Sequence, residues 1–203
     1  MEFFKFIFKT QLRPILDYGS PIWAPIRIGQ IDSLETVLNS FLRKIPALRC
    51  MHMWDRLKVM NITSLQRRME GFTIIYAHKI LSGVVPNPGG FNSKWTHRGR
   101  FIEIPPFPKK CPPFAKKVRE QTFTHRAARL FNSCPAFVRN YEGSTLGFKN
   151  ILTSYIKKVP DKQRSQHTGI MPAATDQVAH IKSNSLVHWR TFLEKHSPNY
   201  QWH

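Results

Sequence analysis

Prolines and glycines interrupt the middle of this chain and limit what it can fold into. Between Val84 and Pro113 lie seven of the fifteen prolines and three of the ten glycines. Proline lacks a backbone N–H and clashes inside a helix, and glycine lowers helical stability, so a long helix is incompatible with this stretch. We therefore predict an irregular loop, with room for a short hairpin at 98–104, that separates two helical parts.

Apolar residues recur at helical spacing before this loop. The periodic segments are 1–16, 31–45, 53–60 and 65–80. Pro14 and Pro46 are expected to end the first two, because the residue before a proline is disfavoured in a helix. The segment from Thr63 to Gln66 has the form of a capping box, which predicts the start of the fourth helix. Residues 17–25 are rich in turn formers, and Tyr18 and Trp23 within them are expected in the core.

Helical spacing resumes after the loop. Residues 115–132 fit a single helix with Phe123 and Leu130 on its inner face. A second face of this helix aligns Arg119, Arg126 and Arg129. Ser144 can cap a last helix, whose inward-facing residues are expected to be Phe148, Ile151, Leu152, Tyr155 and Ile156. The expected fold is mainly α, a helical bundle with a long basic loop and a flexible C-terminal tail. The predicted parts are 1–83 (N-terminal helical part), 84–114 (basic Pro/Gly-rich loop), 115–159 (C-terminal helical part) and 160–203 (flexible tail).

The charge balance points to a polyanionic partner. Thirty-one Lys and Arg against twelve Asp and Glu give a formal net charge of +19, with an isoelectric point near 10.4. Nucleic acid is the favoured partner, since the charge is spread over many segments. An anionic membrane surface is the alternative, although no single helix concentrates the charge. No run approaches the ~18 apolar residues of a membrane span, so we expect a soluble, intracellular chain, nuclear or cytoplasmic.

Groups that could perform catalysis are not brought together by the sequence. The acidic residues are scattered, and the pair on one helical face, Asp32 and Glu35, fits a solvated surface better than a two-metal site. No nucleophile motif or phosphate-binding glycine loop is present. The three cysteines lack zinc-site or disulfide spacing and are expected as packed thiols in a reducing compartment: Cys50, Cys111 and Cys134. We expect no enzyme, no metal and no cofactor.

Cations and aromatic residues alternate between Lys94 and Arg129, where ten Lys/Arg stand against Glu103 and Glu120. Such a stretch can pair phosphates with cations while exposed rings stack on unpaired bases. Alternatively, the rings fix the loop to the core, and we favour this for the rings but phosphate contact for the charges. The candidate nucleic-acid contacts are Arg67, Arg68, Arg98, Arg100, Lys109, Lys110, Lys116, Lys117, Arg119, Arg126 and Arg129.

The block Gln11-Leu-Arg-Pro-Ile-Leu-Asp-Tyr-Gly-Ser-Pro-Ile-Trp-Ala-Pro25 resembles one that follows the polymerase palm in reverse transcriptases of non-LTR (LINE-type, jockey-like) retrotransposons. The resemblance continues through Leu65-Gln-Arg-Arg68 to Leu130-Phe-Asn-Ser-Cys-Pro135 and the helix after Ser144, over residues 7–158. Phe131 and Cys134 depart from the family's Trp-Asn-Ser-Leu-Pro pattern. Arg13, inside the block, suits a structural ion pair with Asp17 as well as a phosphate contact.

The resemblance implies a helical thumb and C-terminal connection, which grip the template and primer beside the palm. The family's Phe/Tyr-x-Asp-Asp metal-binding motif is not found in this sequence. We therefore expect a truncated RNA-directed DNA polymerase segment without polymerase activity. It is expected to contact the sugar–phosphate backbone of RNA, DNA or an RNA–DNA hybrid. A polymerase palm is the implied protein partner. The alternatives are a protein-interaction scaffold and an idle remnant of the element.

Overall fold

The computed structural model describes residues 2–25, 27–87, 90–104 and 106–159, and this part of the chain is mainly helical, as predicted. It forms two compact units, divided between Met69 and Glu70. Unit 1 comprises described residues up to 69, and unit 2 comprises described residues 70–159. The predicted tail, 160–203, lies outside the described residues.

Unit 1 consists of short helices around one longer one. Its elements are α1 (Glu2–Ile7), a π-helical turn (Phe8–Leu12), α2 (Arg13–Asp17), α3 (Ser20–Trp23), α4 (Ile28–Arg43), a 3₁₀ turn (Pro46–Leu48), α5 (Met53–Met60) and the start of α6 (Leu65–Leu81). The first helical stretch continues past Pro14, contrary to prediction. Pro14 is the second residue of α2, which follows the wide π-helical turn, and a missing N–H is tolerated in the first turn of a helix.

Apolar side chains of α4, α5 and the first turns of α6 form the core of unit 1. It includes Leu38, Leu42, Trp54, Leu57 and Met69. Tyr18 and Trp23 do not join it: Tyr18 is 85% exposed, and Trp23 is exposed with its indole N–H donating to the Tyr18 carbonyl. The prediction that both are core residues is wrong, because Gly19, at φ +62°, turns the chain between them.

Helix α6 begins at Leu65, so Ser64 rather than Thr63 is its N-terminal flanking residue. The Gln66 N–H in its first turn donates to Glu35 Oε1 of α4 at 2.9 Å. A carboxylate at this end of a helix satisfies an exposed amide and interacts favourably with the helix dipole. Glu35, one of the two acids considered above for catalysis, therefore has a structural role.

Unit 2 has a larger hydrophobic core than unit 1. After the rest of α6 come β1 (Ser93–Thr96), β2 (Gly99–Ile102), α7 (Pro113–Gln121), α8 (Phe123–Ser133), α9 (Ala136–Arg139) and α10 (Thr145–Lys158). The core side chains include Ile74, Ala127, Phe131, Phe148 and Leu152. The predicted cap of the last helix is confirmed: Ser144 Oγ accepts the Gly147 N–H at 3.2 Å.

The single helix predicted for 115–132 is wrong, because the chain breaks at Thr122. This residue is extended, with φ −61° and ψ 151°, and its hydroxyl donates to the Arg119 carbonyl at the end of α7. Side-chain bonds of this kind compete with helical ones. Two helices result, and the arginine stripe expected along one helix is divided between them.

The hairpin is present but starts earlier than predicted. Strands β1 and β2 pair antiparallel, with Trp95 opposite Arg100 and Thr96 opposite Gly99. The predicted range of 98–104 contains β2 and the second turn residue, Arg98, but none of β1. Strand β1 is difficult to predict from the sequence, because none of its four residues is buried and no alternation of buried and exposed positions marks it.

The boundary between units falls inside α6, whereas the predicted parts divide after residue 83. Leu65 and Met69 belong to the core of unit 1, while Ile74, Ala77 and Ile80 of the same helix belong to that of unit 2. Helical periodicity shows that a face is buried but does not show which core it enters.

The burial of His78 predicts that unit 2 is sensitive to acid. Its buried ring stacks on Phe148, with 3.9 Å between centroids. Burial lowers the pKa of His78 below its ordinary 6.5, and the charge of Arg100 acts in the same direction. Below about pH 6.5 the unfolded chain therefore binds a proton at His78 more readily than the folded chain does, so the free energy of unfolding falls from pH 7 to pH 5.

We expect His78→Phe to reduce the slope of the unfolding free energy against pH, measured by denaturant unfolding. His97→Gln, on the exposed hairpin turn, is the control, and an unchanged slope in His78→Phe contradicts the assignment.

Candidate nucleic-acid interface

Side chains from α8 and α9 hold the outer edge of β2. Asn132 accepts the Ile102 N–H at 2.9 Å and donates to the Ile102 carbonyl at 2.8 Å. The Arg100 N–H donates to Asn140 Oδ1 at 2.9 Å. The buried Arg139 guanidinium donates to the carbonyls of Arg98, Arg100 and Cys134 at 2.8–3.0 Å. These side chains occupy the position of a third strand, so the basic hairpin is fixed to the helices.

The hairpin turn needs its glycine. Gly99 has φ +98°, and a Cβ at this position would overlap the Asn140 side chain. Arg98 precedes it with an exposed side chain, whose Nε lies 3.2 Å from His97 Nε2. Arg100 is half-buried, and its guanidinium lies 3.4 Å from both Ser93 Oγ and the Leu81 carbonyl. Arg98 is thus available to a ligand, whereas Arg100 is partly engaged within the fold.

The loop before α7 folds back onto α8. Phe107 stacks on His125 at 5.1 Å between centroids, and Lys116 Nζ lies 5.4 Å from the Phe107 ring centre. Lys109 and Lys110 follow in an exposed turn. The loop is therefore attached to α8 by its aromatic residue, while its two lysines remain in solvent.

Helix α7 has no buried residue along its nine positions. Lys116, Lys117 and Arg119 on it are all exposed, with Glu120 as the helix's one acidic residue. A helix without a buried face is stabilised little by the core, and cations so exposed can approach a ligand without rearrangement of the fold.

The two predicted contacts on α8 differ in their surroundings. Arg129 is exposed, whereas Arg126 is half-buried, and loss of solvent lowers the pKa of Arg126. We therefore keep Arg129 in the candidate interface and assign Arg126 mainly to the fold.

Arg67 and Arg68 do not belong to this interface. Arg67 is 1% exposed in unit 1, so a phosphate cannot reach it. Arg68 binds Asp17 through two hydrogen bonds of 2.6 and 2.5 Å. Arg13 Nε also lies 3.4 Å from Asp17, so the structural ion pair considered for Arg13 is present.

Four of the aromatic rings in the basic stretch divide into two pairs: Trp95, Phe101, Phe107 and Phe114. Phe101 lies beneath the Arg139 guanidinium, with the Arg139 Cζ 3.8 Å from its centre, and Phe107 packs on His125. These two rings fix the hairpin and loop, as favoured from the sequence. Trp95 and Phe114 instead are 57% and 75% exposed.

Arg139 and Asn132 are the positioning residues that the sequence analysis missed. Arg139 stands beside apolar residues in the short helix that follows Pro135. A lone cation in an apolar turn indicates burial with carbonyl acceptors, because an isolated buried charge is unfavourable. That signal was present in the sequence.

Among the described residues no cluster of His, Cys, Asp or Glu could hold a metal ion, and no helix is long and apolar enough to cross a membrane. The three cysteines, all described, form no disulfide. Only Cys134 is buried, so the prediction of packed thiols is wrong for exposed Cys50. Comparisons with protein-family models, curated proteins and solved structures returned no match.

Proposed function

We propose that this chain binds the sugar–phosphate backbone of nucleic acid without sequence specificity, through a basic face of unit 2. This face consists of exposed cations on the hairpin turn, the following loop, α7 and α8: Arg98, Lys109, Lys110, Lys116, Lys117, Arg119 and Arg129. The observation that supports it best is α7, a helix with three exposed cations and no buried residue.

Few of these cations are neutralised within the fold. Glu103, one of the two acids of the stretch, forms an ion pair with Lys94, which leaves Glu120 among the cations of α7. Uncompensated like charges repel one another, and a polyanion relieves this repulsion while releasing its own counterions. Phosphate contacts of this kind position a protein on a duplex and carry no sequence information.

The resemblance to non-LTR reverse transcriptases supplies the biological setting of the proposal. In that setting the chain is a thumb-like segment that contacts template and primer, has no polymerase activity and partners a palm. The competing function is a protein-interaction scaffold. Pull-downs with and without nuclease treatment separate the two, because partners held through nucleic acid are lost on digestion.

The salt dependence of binding tests the proposal directly. We expect the full chain to bind a primer–template hybrid and duplex DNA of equal length with similar affinity. The logarithm of the binding constant should fall linearly with the logarithm of salt concentration, by about 0.9 for each phosphate contact on duplex DNA. Five to seven contacts would give a slope of roughly −4.5 to −6. Fluorescence anisotropy from 50 to 300 mM salt measures it, and a flat response contradicts the proposal.

A further inference from the structure

Trp95 lies on the exposed strand of the anchored hairpin. It is 57% exposed, although tryptophan side chains are on average highly buried. It is absent from the core of unit 2 and makes no aromatic contact with another described residue. More than half of the surface of this residue is therefore exposed to solvent.

The strand pairing gives this ring a defined neighbour. Trp95 and Arg100 face each other across the hairpin. The Arg100 backbone groups bond to Asn140 and Arg139, away from β1, so this is a non-hydrogen-bonded pair, in which facing side chains approach most closely. Trp95 and Arg100 consequently lie side by side on one face of the hairpin.

The side chains that bond to the outer edge of β2 hold the Trp95–Arg100 pair in a fixed position. The bonds from Asn132, Arg139 and Asn140 hold the outward-facing backbone groups at positions 98, 100 and 102, of which the last two lie in β2. A two-stranded hairpin alone is marginally stable, whereas one fixed along its second strand keeps β1 and its ring in place. Fixing a side chain before binding lowers the entropy lost when a ligand stacks on it.

We infer that Trp95, with Arg100 beside it, is a stacking platform for an unpaired base, so that the chain prefers single-stranded nucleic acid, or a single-stranded end next to a duplex. The inference rests on the proposed function and adds the ligand class. The positive surroundings, with Arg98 in the adjoining turn, favour a nucleic acid strand as the occupant. Stacking accepts any base, because every base has a flat π-face.

An abasic oligonucleotide separates stacking from phosphate contact. The probes are labelled dT15, an abasic 15-mer with the same number of phosphates and a blunt duplex, each titrated against the full chain. We expect the native chain to bind dT15 about 10-fold more tightly than the abasic strand, the order of one stacked base. Trp95→Ala should remove this difference and leave the abasic and duplex affinities within about twofold.

Two further variants make the test specific. Trp95→Phe retains a ring and should keep part of the dT15 preference. Phe114→Ala removes another exposed ring of unit 2 and should keep all of it, while circular dichroism reports whether each variant folds. If the native chain binds the duplex in a salt-dependent way but shows no preference for dT15 over the abasic strand, this inference fails and the proposed function stands. If no probe binds, both fail.

Discussion

Changing Lys116, Lys117 and Arg119 together to glutamate is expected to abolish measurable binding to nucleic acid at about 0.1 M salt. Each replacement removes roughly 1 kcal/mol of phosphate contact and adds repulsion, so the loss is roughly 100-fold or more. Helix α7 has no buried residue, so the three replacements disturb no core packing and the fold should survive. Arg119 lies in the last turn of α7, where a glutamate opposes the helix dipole at a cost of about 0.3–1 kcal/mol. Anisotropy with the primer–template hybrid measures affinity, and circular dichroism measures helicity.

A variant with the same change in net charge provides the control. Lys149, Lys157 and Lys158 are exposed on α10 of the same unit, and their replacement by glutamate also changes the charge by six. We expect this control to lose less than about 10-fold, because long-range attraction weakens beyond the Debye length. Equal losses in both variants would mean that overall charge, rather than the basic face, determines affinity.

The sequence predicts where the cations of the interface are concentrated, but it does not predict which of them share a face. The concentration of charge between residues 94 and 129 was visible in the sequence. The face expected from helical spacing, with Arg119, Arg126 and Arg129 aligned, was not realised. At the break, the Thr122 hydroxyl and backbone N–H both donate to the Arg119 carbonyl, and hydrophobic periodicity contains no information about such bonds.

Burial of arginine is the second limit. The sequence identifies Arg67 and Arg68 as neighbouring cations, yet one is enclosed and the other binds Asp17, 51 residues earlier in the chain. Arg56 likewise is buried, with bonds to the Leu48 and Arg49 carbonyls and to Asn39. A guanidinium group has five N–H donors and can be buried against several carbonyls. The number of arginines in a sequence is therefore larger than the number available on the surface.

Local signals predicted the helices better than their grouping. The Ser144 cap and the buried positions of α10 follow from capping and periodicity. The division of α6 between two cores depends on which distant segments supply partner side chains. The hairpin is intermediate: its second strand lies within the predicted range, but β1 is recognisable only through its pairing with an anchored β2.

That anchoring leads to the largest expected effect on stability, which is the loss of Arg139. Arg139 is 2% exposed, and its guanidinium donates to three carbonyls from two parts of unit 2 and covers the Phe101 ring. Arg139→Ala leaves these acceptors without that donor and opens space over the ring. At roughly 1 kcal/mol or more for each acceptor, we expect unit 2 to lose about 3–5 kcal/mol of unfolding free energy.

Two variants and one local measurement distinguish anchoring from general packing. Arg139→Lys keeps the charge but not the planar fork, so it should lose an intermediate amount of unfolding free energy. Arg129→Ala, at an exposed position of α8, should lose less than about 0.5 kcal/mol. Hydrogen exchange should quicken first at the β2 amides in Arg139→Ala, before the amides of α10. If β2 stays as protected as in the native chain, Arg139 does not hold the hairpin. The preference for dT15 should then also survive its replacement, because the position of Trp95 would depend on other contacts.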